Sequence, residues 1–306
     1  MNVIEALQWA NVKLKSIPQD QNKNKTKTDS SMLDAELILS HSLHISRTEL
    51  FSNLNRILTK QEQDDFGKLL NRRLNNEPIA YLIGKKEFYK RSFIVTGDVL
   101  IPRPATETLI EQALETINET DMSHDSILFA DIGTGSGAIA VTLACETSIP
   151  VIASDINKTS LEIAKQNAQK HGVIDIVDFK EGNLAEPIIR LFKQLQKTNT
   201  VIKHLIICAN LPYLSMKQME NAQPDILHEP EQALISGIDG LDAYFELFKQ
   251  LYENRNTFPN KLTTIIEIDP SQSKSIISLI KHRFQSAEIE IKKDLEGHNR
   301  IVTAII

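Results

Sequence analysis

Cysteine is almost absent from the chain, with only Cys145 and Cys208 among 306 residues. Two isolated thiols cannot build a disulfide framework, and their spacing fits no zinc site. Both lie inside apolar runs, so both are expected as buried, reduced thiols in a cytoplasmic protein, and no metal site is expected. Aromatic residues make up only 6% of the chain, and the single tryptophan, Trp9, is assigned to the core of an amino-terminal helical segment. No apolar run approaches the roughly 18–20 residues that a bilayer-spanning helix needs. The opening MNVIEALQWANVKLK mixes polar and apolar residues and does not read as a secretory signal. Positive charge is not in excess either: 34 Lys and Arg face 40 Asp and Glu, a net charge of −6. A protein that grips duplex nucleic acid usually presents a basic surface. Lys85, Lys86, Lys90 and Arg91 form a local basic cluster, but the overall balance favours a protein or small-molecule partner. No membrane contact and no stable nucleic-acid contact are expected.

What is present suits an ordinary globular chain, 41% hydrophobic, with room for one large core and a small second domain. Residues 1 to about 75 carry apolar residues at three- and four-residue spacing in VIEALQWANVKL, LDAELILSHSL and FGKLLNRRL, which predicts helices. The polar run QDQNKNKTKTDSS (19–31) predicts a loop, with Asp29, Ser30 or Ser31 capping the helix that follows. Residues 76–100 read as a hairpin or linker that includes FIVTGDVL as a strand. From 101 to 306 short β-rich runs (SILFADIG, VIASDI, VDFKEGN, HLIICAN, TTIIEID, RIVTAII) alternate with helical ones. That alternation predicts βαβ units, hence a doubly wound, mostly parallel α/β sheet behind a small helical domain. EIEIKKDLEGHNRIVTAII fits a closing hairpin with one strand inserted antiparallel.

Asp131-Ile132-Gly133-Thr134-Gly135-Ser136-Gly137 follows a predicted strand and opens a helix, where glycine lets a ligand approach the main chain. Asp155 ends the next strand, twenty residues beyond Gly135, where an acid can accept hydrogen bonds from ribose hydroxyls. A dinucleotide would set its pyrophosphate beside Asp131 and be repelled, whereas S-adenosylmethionine brings a cationic ammonium and sulfonium. The glycines stand at i, i+2 and i+4, unlike a dinucleotide fingerprint, and no Lys-Ser/Thr follows as in a P-loop. The expected cofactor is therefore S-adenosylmethionine.

Asn210, Leu211, Pro212 and Tyr213 follow the strand HLIICAN, at the edge where open α/β sheets bind ligands. An amide nitrogen is a poor nucleophile, so it needs alignment with a methyl donor and acceptors for its developing positive charge. The Asn210 side-chain carbonyl and the Leu211 backbone carbonyl are the expected acceptors, with Pro212 restricting the residue before it. Tyr213 is expected to pack on a flat acceptor. No strong general base is required, and alignment with exclusion of water supplies the remainder.

EPIAYLIGKKEFY (77–89), LIPRPATE (100–107), ADIGTGSGAIA (130–140), SDIN (154–157), ANLPY (209–213), HEPEQAL (228–234) and DLEGHNRIV (294–302) together resemble the release factor glutamine methyltransferases, the HemK/PrmC family, along nearly the whole chain. The resemblance implies a Rossmann-like class I methyltransferase with a seven-stranded sheet. The implied activity is N5-methylation of the glutamine in the Gly-Gly-Gln motif of peptide chain release factors, by a cytoplasmic monomer. It makes residues 1–75 the docking domain for the release factor, and puts Pro102, Arg103, Pro104 and Glu107 at the substrate pocket. Taken alone, Pro102 and Pro104 indicate only a rigid extended segment. The expected cofactor set is Asp131, Gly133, Thr134, Gly135, Gly137, Asp155, Ile156, Asn183 and Asn210, and Asn210, Leu211, Pro212 and Tyr213 are the expected catalytic motif.

The chain departs from the family pattern at three places. Leu211 replaces the first proline of Asn-Pro-Pro-Tyr, which should keep the carbonyl contact but loosen the turn. Asn183 replaces an aspartate that bonds the adenine amino group. The segment LFKQLQKTNTVIK between Asn183 and Asn210 reads as an added polar helix or loop. Asn-Leu-Pro-Tyr is also the motif of rRNA adenine dimethyltransferases, so N6-adenine methylation of RNA or DNA stays open as an alternative. A binding-only relative is the third reading, suggested by Leu211, Asn183 and Asp269 and opposed by Asp131, Asp155 and Asn210. His228 reads as a solvated loop residue, and Asp294 with Arg300 as a terminal-hairpin ion pair that contributes little if exposed.

Overall fold

The computed structural model describes residues 1–16, 30–198 and 200–306. Most of the polar run 19–31, including Asp29, therefore lies outside the described residues. The described chain divides into two compact units, residues 1–85 with 222–228, and residues 86–221 with 229–306.

The first unit is helical: α1 (Val3–Lys15), α2 (Ser31–Ser42), α3 (Arg47–Ser52), α4 (Lys60–Leu74) and α5 (Ile79–Ile83). Capping boxes Asn2/Glu5, Ser46/Glu49 and Thr59/Glu62 open α1, α3 and α4, each satisfying backbone N–H groups that the helix itself leaves free. Ser30 stands at the start of α2, but its side chain makes no cap bond. Leu7, Leu14, Ile38, Leu39, Leu50, Phe66 and Leu70 form the core, each side chain stabilising the fold by about 1.5–3 kcal/mol relative to exposure. Helix α5 belongs to this core through Leu82, although its sequence reads as linker. Trp9 is 42% exposed rather than buried. The buried stripe of α1 is Val3, Ala6, Leu7, Ala10 and Leu14, and position 9 falls outside it, so the indole leans on Phe66 with Lys13 near its face. Exposed His228 donates from Nε2 to the Asn75 carbonyl (3.0 Å).

The second unit opens with a hairpin, β1 (Lys85–Phe88) and β2 (Arg91–Ile94), then α6 (Pro104–Asn118). Five strand–helix steps follow: β3 (Ile127–Ile132), α7 (Ala138–Thr147), β4 (Val151–Asp155), α8 (Lys158–Lys170), β5 (Val177–Glu181), α9 (Glu186–Leu195), β6 (His204–Ala209), α10 (Met216–Glu220), α11 (Asp242–Glu253), β7 (Lys261–Glu267) and α12 (Ser273–Arg283). The closing hairpin is β8 (Glu288–Lys293) and β9 (Asn299–Ile305). The seven strands run β5-β4-β3-β6-β7-β9-β8, and β9 is antiparallel to both neighbours. Central β3 and β6 are buried at every residue, as a strand covered by helices on both faces must be. The chain leaves β3 toward β5 and returns at β6, so the strand order reverses between β3 and β6, where α/β sheets open a ligand crevice.

Four local expectations change or are refined. Pro104 does not extend the chain but opens α6 at its first turn, where its missing N–H costs nothing. The segment after Asn183 is no added polar helix: α9 buries Ile188, Ile189 and Phe192 against the sheet and is the regular connection from β5 to β6. Cys208 is buried, but Cys145 is half-buried, near the His171 carbonyl. The Asp294–Arg300 ion pair forms, yet with side chains only 7% and 17% exposed it is a sheltered pair that also takes Arg300 to the Ile268 carbonyl.

The β1–β2 turn places Tyr89 and Lys90 at φ 47° and 61°, the backbone of a two-residue turn that favours glycine. Exposed Lys90 is thus strained by about 1 kcal/mol. Lys90→Gly is expected to raise unfolding free energy by about 0.5–1 kcal/mol in urea melts, and an unchanged or lower midpoint would show that the turn carries no strain.

Candidate active site

At the carboxyl ends of β3, β4 and β6 lies a cavity of about 450 Å³, lined by Asp98–Leu100, Pro102, Thr106, the glycine loop, Asp155–Asn157, Gly182–Leu184, Asn210–Pro212 and residues 230–246 of the returning loop and α11. Its size is that of a small-molecule site. Gly133, Gly135 and Gly137 all have positive φ, between 53° and 80°. Space also matters at two of them: a Cβ on Gly133 would meet Leu211 Cδ2 at 3.0 Å, and one on Gly137 would meet Ala164 Cβ at 3.0 Å.

The two acids flanking this loop do different jobs. Asp155 lines the cavity and accepts from Gly135 N and Asn157 N, one on each oxygen at 2.9 Å. Each carboxylate oxygen retains a second lone pair, so ribose-type hydroxyls can still be accepted there. Burial pushes its carboxyl up from the usual range, against the pull of those backbone bonds. Asp131 is fully buried and does not line the cavity. One oxygen accepts from Thr134 Oγ1 (2.6 Å) and Ala140 N (3.1 Å), and the other has no partner among the described residues. Asp131 thus braces the loop from its buried side. Desolvation pushes its pKa up to about 7.

The Asn210–Tyr213 segment leaves β6 beside Gly133. Asn210 lines the cavity; its Nδ2 donates to Thr106 Oγ1 (3.1 Å), while its buried Oδ1 has no partner among the described residues. Thr106 in turn donates to Glu267 Oε2 (2.6 Å), and Tyr213 donates to Glu267 Oε1 (3.3 Å). Glu267, fully buried at the end of β7, is pushed up by desolvation, with Thr106 and Arg300 opposing. The Leu211 N–H donates to Tyr244 Oη (3.2 Å), which itself donates to the Glu267 carbonyl. The turn is therefore not loosened by leucine: a proline there would have no N–H to give. Asp269 caps the turn carrying Gln272, whose Nε2 donates to the Tyr213 carbonyl (2.9 Å).

Of the residues predicted for the substrate pocket, only Pro102 lines the cavity. Arg103 pairs with Glu229, whose other oxygen accepts from Ile101 N at 3.1 Å, so a buried carboxylate ties the 101–103 segment to the loop at 229–233. Pro104 is exposed, and Glu107 is turned to the hairpin, where it accepts from Tyr89 N (2.9 Å). Ile156, 65% exposed, and Asn183 line the cavity, while Gly137 and Tyr213 do not. Thr106, Glu267 and Tyr244 were not singled out from sequence. Their positions at the ends of strands or the start of a helix, on the crevice edge, are the signal that points to them.

Known proteins resemble the chain at several levels. The family described as PrmC N-terminal domain matches residues 5–84, and that described as Methyltransferase domain matches residues 123–282. A release factor glutamine methyltransferase of Bacillus cereus is 34% identical, over 99% of this chain and 99% of its own. One of Bacillus subtilis is 34% identical over 99% and 98%. The crystal structure of the hMettl16 catalytic domain in complex with MAT2A 3′UTR hairpin 1 superposes with TM-score 0.54 at 10% identity, covering 94% of each chain, a likeness of fold alone.

The Asp131 carboxyl couples stability to pH. The folded protein holds its proton up to about pH 7, whereas an unfolded chain releases it near 3.8, so unfolding free energy falls as pH rises across that window. The slope is at most about 1.4 kcal/mol per pH unit. Asp131→Asn removes this titration, so the ligand-free variant should lose less stability than the parent between pH 4 and 7. Parallel pH profiles of the two proteins in urea melts would mean that Asp131 is ionised in both states.

Proposed function

The chain belongs to the release factor glutamine methyltransferase family, and from that premise we propose that its cavity transfers a methyl group to N5 of the glutamine in the Gly-Gly-Gln motif of peptide chain release factors. It is an S-adenosylmethionine-dependent methyltransferase of class I. When bound, S-adenosylmethionine supplies the activated methyl group. The backbone of Gly133, Thr134 and Gly135, braced by Asp131 and joined to Gly137, would hold its amino-acid end. Asp155 would hold the ribose hydroxyls, exposed Ile156 would cover the purine, and Asn183 would accept from the adenine amino group. The residues present fit such a ligand: Asp155 keeps free lone pairs facing the cavity, and Ile156 offers apolar surface that water would otherwise cover.

The observation that carries the acceptor assignment is the buried, unpartnered Oδ1 of Asn210, a residue of the cavity lining. A buried carbonyl without a donor costs about 1–3 kcal/mol, and an incoming amide N–H relieves that cost. No described donor takes the Leu211 carbonyl, which leaves it to accept the second N–H. Both bonds strengthen as the nitrogen becomes cationic, so they favour the transition state over the ground state. The Arg103–Glu229 pair fixes the 101–103 segment at the cavity, and Tyr213 is held by Glu267 beside it.

Glutamine is preferred to adenine as acceptor because relatives matching 99% of the chain bear the glutamine activity in their names. The departures that suggested a binding-only relative have structural roles: Leu211 bonds Tyr244, and Asp269 caps the Gln272 turn. Residues 1–75 are read as the docking surface for the release factor, the enzyme acting as a monomer in the cytoplasm. Among the described residues no helix is long and apolar enough to cross a membrane.

Methyl transfer from labelled S-adenosylmethionine to a purified release factor tests this reading, with the Gly-Gly-Ala variant of that factor as control. Label is expected on the parent factor only. Asn210→Ala should lower kcat by about 100-fold or more while S-adenosylhomocysteine affinity stays within about twofold. An equal loss of cofactor affinity would remove Asn210 from the acceptor site.

A further inference from the structure

A side-chain amide fits a site in either of two orientations of nearly equal shape, one presenting oxygen and the other nitrogen. For Asn210 only one of them is useful, because an N–H turned to the cavity would face the N–H groups of the incoming amide. What selects the orientation lies outside the Asn-Leu-Pro-Tyr motif. Thr106 has one hydroxyl proton, and it is directed to Glu267 Oε2 at 2.6 Å. A hydroxyl that donates elsewhere offers only lone pairs to its other neighbour, so it accepts from Asn210 Nδ2 (3.1 Å) and repels Oδ1. Glu267 is fully buried and accepts a second hydroxyl, that of Tyr213, on its other oxygen. Arg103 and Arg300 add positive field that favours the carboxylate. Buried at both Glu267 and Thr106, this arrangement holds a single polarity from Glu267 through Thr106 to Asn210.

We propose that Thr106 and Glu267 are positioning residues that set the polarity of the Asn210 amide, turning its oxygen rather than its nitrogen to the substrate. This rests on the assignment of Asn210 to the acceptor site. Glu267 does not line the cavity, and Thr106, which does, acts through the Asn210 amide. Their effect appears in kcat, because a misoriented amide weakens the contact that grows in the transition state, and it spares the binding of either substrate.

Thr106→Val keeps the shape of the side chain and removes the hydroxyl. In the labelled-methyl assay it is expected to lower kcat about 10- to 100-fold, with KM for the release factor and affinity for S-adenosylhomocysteine within about twofold. Thr106→Ser, which restores the hydroxyl, should recover most of the lost kcat. If valine packs poorly and the variant does not fold, Thr106→Ala gives the same comparison. A variant lacking the hydroxyl that retains the parent kcat overturns the proposal. So does a loss shared with cofactor affinity and thermal stability that serine does not recover. An unaltered protein that leaves the glutamine unlabelled overturns the functional reading and this proposal with it, whereas an active parent with an unaffected valine variant overturns the proposal alone.

Discussion

A carboxylate cut off from water must find donors within the protein, because an isolated buried charge is among the most costly groups a fold can contain. Glu267 is such a group, and the segments around the crevice are arranged by its needs. Its side chain draws the first turn of α6 through Thr106 and the segment after β6 through Tyr213. Its backbone carbonyl accepts from Tyr244, which fastens α11. Arg300, on β9, supplies compensating charge from the antiparallel side of the sheet. The acceptor site is therefore not a loop with freedom of its own. It is fixed to four elements through one residue at the carboxyl end of β7, and Glu267 itself reaches Asn210 through two hydrogen bonds, by way of Thr106.

The glycine loop solves the opposite problem. Its backbone must stay open to a ligand, so its rigidity comes from one side chain beneath it and one at the cavity rim. Asp131 holds Thr134 and Ala140 from the buried side, and Asp155 holds Gly135 from the open side. Asn167 extends the support outward, donating to the Ser136 carbonyl and exchanging bonds with Ile94 of the hairpin. Both acids have pKa values raised by burial, which is the energetic cost of placing carboxylates where a ligand can be bound without competing water.

Strand and helix alternation is legible in the sequence because central strands are continuous apolar runs and surface helices repeat every three to four residues. That suffices for β3 to β7 and for the closing hairpin. Helix α6 escapes because Pro102 before it and Pro104 at its start suggest extension, although a proline at the first turn is a helix start. Trp9 escapes the buried stripe because its place on α1 is set by helical phase rather than by hydrophobicity. At the site, motif residues are legible where the chemistry is local: the glycine turn, Asp155 and Asn210. Thr106 and Glu267 are not, since they lie 161 residues apart and meet only when α6 packs on β7. Long-range hydrogen bonds leave no periodic trace in a single chain.

The departures from the family pattern make sense once these contacts are known. Proline before Pro212 would stiffen the segment by restricting φ, and it would leave Tyr244 Oη without the donor it has here. Leucine reaches comparable order by another route: its N–H is tied to Tyr244, and its side chain packs against Gly133. The segment thus trades an intrinsic restriction for a tertiary one that exists only when α11 and β7 are in place. Asp269 acts in the same way, capping the turn whose Gln272 holds the Tyr213 carbonyl. In this chain the order of the catalytic segment is borrowed from the folded core, so its geometry depends on tertiary contacts as much as on the motif itself.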